Sequence, residues 1–245
     1  MRSIQWSSAV RSFAVLTIST VLALSVMPRS PSISEAQQLN YPSIDRLPPG
    51  ELLSSEGRSV LPQGMNLRPV YPPGVKATKQ SEGWVPHLYN DAVRYCTIGY
   101  GHLIKKAPCD GTEPVEFQQG LTKPRGEQIL VEDMASSQVT VMTSVKVELT
   151  DGQFASLTDF VFNVGSANFR NSKLLQIVNT NQQDRVPAQF GRWVYAGGKP
   201  LAALKTRRER EIKLFFDGLP TPKGIPQPGE DLSPIDILKG EKLPR

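Results

Sequence analysis

The clearest periodicity in this chain lies in TDGQFASLTDFVFNVG, residues 150–165, where Phe154, Leu157, Val161 and Val164 recur at steps of three or four. Thr150 or Asp151 can cap the start of such a helix and Gly165 can end it, so the pattern predicts a buried central helix. Upstream, EQILVEDMASSQVTVMTSVKVEL sets Leu130, Met134, Val141, Val145 and Leu149 at mostly four-residue steps and reads as helical after Pro124. Further helices are predicted at about 172–181, at about 186–196 ending in Gly197-Gly198, and at about 201–216, with Leu204, Ile212, Phe215 and Phe216 as apolar contacts. Before Pro124 the pattern changes. Residues 88–106 are rich in Tyr, Thr, Ile, Val and Gly and break at NDA and GYG, as a small hairpin or three-stranded sheet would. The expected class is α+β, mainly helical.

Both ends of the chain lack this periodicity. Residues 37–75 carry Pro and Gly repeatedly and read as a linker or arm, while 219–245 read as a Pro-rich tail that orders only by docking. Between them, 76–218 is one small domain. Residues 1–36 begin with Arg2 and Arg11, run through FAVLTISTVLALSVM at 13–27 and turn polar, which reads as an export signal. Ser34 and Ala36 have the spacing a signal peptidase accepts, placing cleavage after Ala36; an uncleaved anchor is the alternative. A helix crossing hydrocarbon needs about 20 mostly apolar residues, so no stable membrane span is expected after processing. The expected destination is the periplasm, cell wall or extracellular space. Loss of the leader lowers the formal charge from +5 to +3, a mild basicity that suits an anionic wall or nucleic acid and selects neither. Cys96 and Cys109 both lie in the exported part, where a disulfide is the default expectation.

The chemistry concentrates in SEGWVPHLYNDAVRYCTIGYGHL, residues 81–103. Glu82 and Asp91 flank a predicted turn at the edge of the small sheet, and Thr97 follows. Hydrolysis of a glycosidic bond needs a proton donor for the leaving oxygen and a second carboxylate that attacks or guides water on the other face of the sugar. The donor needs a poorly solvated surrounding, which Trp84 and the apolar helices can provide, and the partner a wetter one. In isolation, a Glu beside Gly83 and an Asp in an Asn-Asp turn are more often a helix end and a turn former.

The whole string, E-x8-D-x5-T-I-G-Y-G-H, resembles the signature of the phage-type lysozymes and endolysins, glycoside hydrolase family 24. TDGQFASLTDFVFNVG looks like that family's buried central helix and PLAALKTRREREIKLF like its basic C-terminal helix, so the resemblance covers roughly 76–218. It implies a lysozyme-like fold with a small N-terminal sheet lobe, a helical C-terminal lobe and a cleft between them. It also implies peptidoglycan as the partner, with no nucleic acid, and hydrolysis of the β-1,4 bond from N-acetylmuramic acid to N-acetylglucosamine. Glu82 is then the general acid, while Asp91 and Thr97 hold the attacking water or stabilise oxocarbenium-like charge. Arg207 is the residue that reaches back to Glu82 and ties the lobes. Two positions depart from the family: Arg94 and Ala203 stand where many relatives have Gly. An Arg enters left-handed backbone less cheaply than Gly, so the turn from Ala92 to Arg94 is expected to take a different type.

Other readings remain open at this level. Cys96, Cys109, His87 and His102 have the right ligand types for zinc, though their spacing matches no familiar pattern. His102 reads as a hydrogen-bonded structural residue after the GYG turn. Trp84, Tyr89, Tyr95 and Tyr100 suit sugar stacking, but aromatic residues at a sheet edge more often bury area. The cluster Lys205, Arg207, Arg208, Arg210 and Lys213 reads mostly as a solvated helix face diluted by Glu209 and Glu211. No nucleophile elbow, phosphate loop or HExxH is present, so no cofactor or metal is expected, and a monomer is. The competing functions are a catalytically weak wall-binding module and a lytic transglycosylase, whose chemistry does not call for Asp91 and Thr97.

Overall fold

The computed structural model describes residues 64–92, 94–224 and 226–242; the leader read at 1–36 and the arm up to residue 63 lie outside the described residues. Helix α1, Pro72–Glu82, begins inside the segment read as an arm, with proline in its first turn where no N–H is required. Gly74 lets α1 lie directly on the central helix, since a Cβ there would come within 2.5 Å of the Ala155 Cβ. The chain before α1 is also anchored: Val70 is buried, and the Arg68 guanidinium donates to Leu149 O at 3.1 Å and Asp151 Oδ1 at 2.7 Å.

Three antiparallel strands follow, β1 (Val85–Asn90), β2 (Cys96–Gly99) and β3 (His102–Lys105), in that spatial order. Tyr89, Thr97 and Leu103 stand opposite one another across the sheet, and Ile98 faces the other way into a small core with Phe117, Leu121 and Ile129. Trp84 packs against this core and against the larger one in the helical part, so it joins the two.

The helical part comprises α2 (Val115–Gln118), α3 (Lys123–Asp133), α4 (Ala135–Ser144), α5 (Asp151–Val164), α6 (Ser166–Arg170), α7 (Lys173–Asn179), α8 (Val186–Gly191) and α9 (Ala202–Phe215). The single helical stretch expected after Pro124 is two helices broken at Met134. Helix α5 is the expected central one. Thr150 and Gln153 form a reciprocal capping box at its start, and Gly165 ends it at φ 86. Gly152 lies against α9 so closely that a Cβ would meet Leu214 O at 2.5 Å. The helix expected at 186–196 stops at Gly191. Gly197 and Gly198 instead turn a hairpin between β4 (Tyr195–Ala196) and β5 (Lys199–Pro200), both at positive φ as a two-residue loop requires.

The Pro-rich tail docks. Ile235 is buried, its N–H donates to Arg192 O at 2.6 Å, and Tyr195 N–H donates to Ile235 O at 3.2 Å. Glu230 pairs with Arg185, and Glu241 with the buried Arg192. The architecture is mainly helical α+β with a small N-terminal three-stranded antiparallel sheet.

Candidate active site

Glu82 is the last residue of α1, and three features define its surroundings. Gly83, at φ 76, turns the chain out of the helix. Gly101, at φ 87, keeps the other side open, because a Cβ there would sit 3.8 Å from Glu82 Oε2 and extend a side chain toward the acid. From the helical lobe, Arg207 Nη1 donates to Glu82 Oε1 at 2.5 Å, leaving the Glu82 side chain 24% exposed.

Arg207 is itself held from behind. Its Nη2 donates to Asp159 Oδ1 at 2.8 Å and its Nε to Asp159 Oδ2 at 3.2 Å, the two-pronged geometry a guanidinium offers a carboxylate. Burial alone would lower the Arg207 pKa, but the charges of Asp159, Glu82 and Glu211 outweigh it and raise it above the ordinary value. Arg208 donates to Asn163 Oδ1 at 2.7 Å and Glu211 Oε1 at 2.8 Å, and stacks over Phe160. Burial pushes the Glu211 carboxyl well above its usual range; Arg208 opposes this and Asp159 adds to it. The helix read as a solvated basic face is thus divided. Lys205, Glu209 and Lys213 are exposed, while Arg207, Arg208 and Glu211 are buried, because α9 turns one side onto α5.

Asp91 opens the turn between β1 and β2. Its Oδ1 accepts from Tyr95 N–H at 2.7 Å, and its own N–H donates to Tyr95 O at 2.9 Å. Despite its Cβ, Arg94 adopts φ 66, the left-handed conformation in which glycine is unstrained. Ala203, the other departure, is exposed in the first turn of α9. Thr97 is buried on β2 and its hydroxyl donates to Tyr95 O at 3.1 Å. Tyr89 stands directly opposite Thr97; burial raises its phenol pKa, and the carboxylates of Asp91 and Glu82 raise it further.

The remaining candidates are occupied structurally. Trp84 and Tyr100 pack on each other with ring centroids 4.8 Å apart, and Tyr100 is buried. His102 Nδ1 lies 2.9 Å from Asp133 Oδ2, linking β3 to α3. Cys96 and Cys109 are joined in a disulfide, so neither offers a thiolate and the four-ligand zinc arrangement does not form. Glu113 organises the disulfide loop. It accepts from Asp110 N–H and Gly111 N–H, each at 2.9 Å, and pairs with Lys105 at 2.8 Å. Asp159 and Glu113 have no role in the sequence pattern and Glu211 reads there only as diluting a basic face; the signal for Asp159 is an acid set in the otherwise buried stretch SLTDFVFNVG.

A small sheet lobe and a helical lobe joined through one half-exposed acid define a lysozyme-like protein. The model of the phage lysozyme family matches residues 79–211, more than half of the chain, and the chain belongs to that family. It is 34% identical over 154 residues to an endolysin of Bacillus phage PZA, covering 62% of this chain and 56% of that relative. A SAR-endolysin of Enterobacteria phage PA-2 is 34% identical over 129 residues, 52% of this chain and 73% of its own. Among solved structures, a P22 lysozyme variant superposes with a TM-score of 0.54 at 28% identity, covering 60% of this chain and 98% of that one. The chain therefore spans just over half the length of the Bacillus phage relative.

Proposed function

We propose that this protein is an exported muramidase that hydrolyses the β-1,4 bond between N-acetylmuramic acid and N-acetylglucosamine in peptidoglycan. The observation that carries the reading is the grip of the buried Arg207 on Glu82, which holds the acid at the end of α1 where the chain enters the sheet. In the proposed reaction Glu82 gives its proton to the leaving glycosidic oxygen. Asp91 orients water on the opposite face of the sugar, balances the developing positive charge, and takes the proton that the water loses as its oxygen bonds the anomeric carbon. Thr97 spends its one proton on Tyr95 O, and the lone pairs that remain can accept from that water. Water placed between acid and carboxylate gives inversion at the anomeric carbon.

Export is proposed on the leader at 1–36, with cleavage after Ala36, and on the disulfide, which suits an oxidising compartment. Among the described residues no helix is long and apolar enough to cross a membrane. Digestion of purified peptidoglycan tests the activity. New reducing ends of inverted configuration are expected, whereas anhydro-muramic ends would assign a transglycosylase, and binding without release a wall-binding module. N-terminal sequencing of exported protein checks the cleavage site.

A further inference from the structure

The turn that carries Asp91 also holds a residue whose backbone is costly. Asp91 and Tyr95 close a three-residue loop, within which Arg94 N–H donates to Asp91 O at 3.0 Å. Loops of this length commonly end in a left-handed residue, where a Cβ crowds the following carbonyl and glycine does not. Arg94 takes that place at φ 66. Among the described residues the only other non-glycine at positive φ is Asn181, a residue type that tolerates it. Backbone conformation therefore gives no reason for an arginine here.

Contacts within the protein give none either. Arg94 is exposed, and its guanidinium has no hydrogen bond or ion pair among the described residues. Several cations near the small sheet are engaged, Lys105 with Asp110 and Glu113, Arg125 with Glu116 and Arg207 with Glu82, whereas Arg94, like Lys106 after β3, has no ion pair among the described residues. The closed turn holds the Arg94 Cα within about 7 Å of the Asp91 Cα, so the side chain starts at the rim of the candidate site.

We infer that Arg94 is a substrate-reading cation whose ligand is a carboxylate on the peptide stems that branch from the glycan. The inference rests on the muramidase reading above. The chemistry of that substrate limits the choice. The N-acetylated sugars are uncharged where the lactyl group is tied up as an amide, so a cation finds its counterpart only on the stem. The stem leaves from the muramic acid whose bond is cut, which brings its carboxylates to the rim of the site. A guanidinium fork matches a carboxylate with two parallel hydrogen bonds.

The test compares initial rates of reducing-end release from two substrates. One is peptidoglycan stripped of covalently attached anionic polymers, and the other is the same material with its stem carboxylates converted to amides by carbodiimide and ammonia. The wild-type chain is expected to prefer the carboxylate form by about two- to fivefold, as for an exposed ion pair, and to lose that preference at high salt. Arg94→Gly and Arg94→Gln lose the preference, and Arg94→Lys keeps part of it. Because glycine relaxes the backbone, Arg94→Gly should also unfold no more easily than wild type, which separates a lost contact from a damaged fold. An Arg94→Gly protein that keeps the full wild-type preference overturns the assignment and leaves the muramidase reading intact. A wild-type protein releasing no reducing ends from either substrate takes down both.

Discussion

Arg207 gives up nearly all of its water, and that loss is offset by the carboxylates around it: Asp159 accepts two bonds, Glu82 accepts one, and Glu211 Oε1 lies 3.5 Å from Nε. Removing it leaves the buried Asp159 without its arginine, while Glu211 keeps Arg208. Arg207→Gln should therefore lower unfolding stability by about 3–5 kcal/mol, as for other broken buried pairs, measured by urea denaturation. Glu82→Gln removes only the half-exposed end of the network, so its stability should stay within about 1 kcal/mol of wild type. The contrast separates a residue that holds the site from one that acts in it. Of this constellation, Glu82, Asp91 and Thr97 could be named as candidates because the string that resembles the phage-type lysozymes is continuous in sequence; their separation alone selected no chemistry. The role of Asp159 depends on α5 and α9 meeting, and nothing in the spacing from 159 to 207 encodes that contact. The backbone of Arg94 was not legible either: the preference for Gly in left-handed backbone is a bias, and Arg94 takes φ 66 in the turn that Asp91 and Tyr95 close.

At the level of elements, the disulfide loop between β3 and α2 is fixed by Glu113 as much as by sulfur. The Lys105 pairing, with the N–H groups of the loop behind it, holds the Glu113 pKa down to about 2, below the usual carboxylate value. A depressed carboxyl binds fewer protons folded than unfolded. Its stabilisation is present in full above the ordinary carboxylate range and is lost as pH falls from about 4.5 toward about 2. Glu113→Gln should accordingly flatten the loss of stability across that acid window, read as unfolding midpoint against pH, while costing stability at neutral pH. Periodicity located α5 and α9 from their apolar repeats, although α5 is buried on nearly all sides and α9 buries Arg207, Arg208 and Glu211 beside Leu204, Leu214 and Phe215. The break at Met134 left no mark on the spacing, because the four-residue step from Leu130 to Met134 runs up to the bend itself. The hairpin at Gly197-Gly198 was missed because its strands are only two residues long, too short for an alternating pattern.

Across the whole molecule, the tail belongs to the folded domain in a way its composition hides. Prolines prevent it from building helix or ladder, yet it supplies Ile235 to the core and counterions to Arg185 and Arg192. The named contacts of residues 230–241 fall on residues 168–198, away from Glu82. A chain ending at Gly224 should thus lose about 2–4 kcal/mol, from the exposed isoleucine site and the stranded arginines, with turnover unchanged at low temperature. Thermal unfolding and a rate measured well below the transition check the two halves of that statement.

Reducing-end release from purified peptidoglycan by Glu82→Gln, beside wild type, shows whether Glu82 delivers the proton that breaks the glycosidic bond. A variant that stays folded, by unchanged far-UV circular dichroism and unfolding midpoint, is expected to turn over about 10²–10⁴-fold more slowly, the usual contribution of a general acid. A folded Glu82→Gln protein that turns over at the wild-type rate would contradict that role.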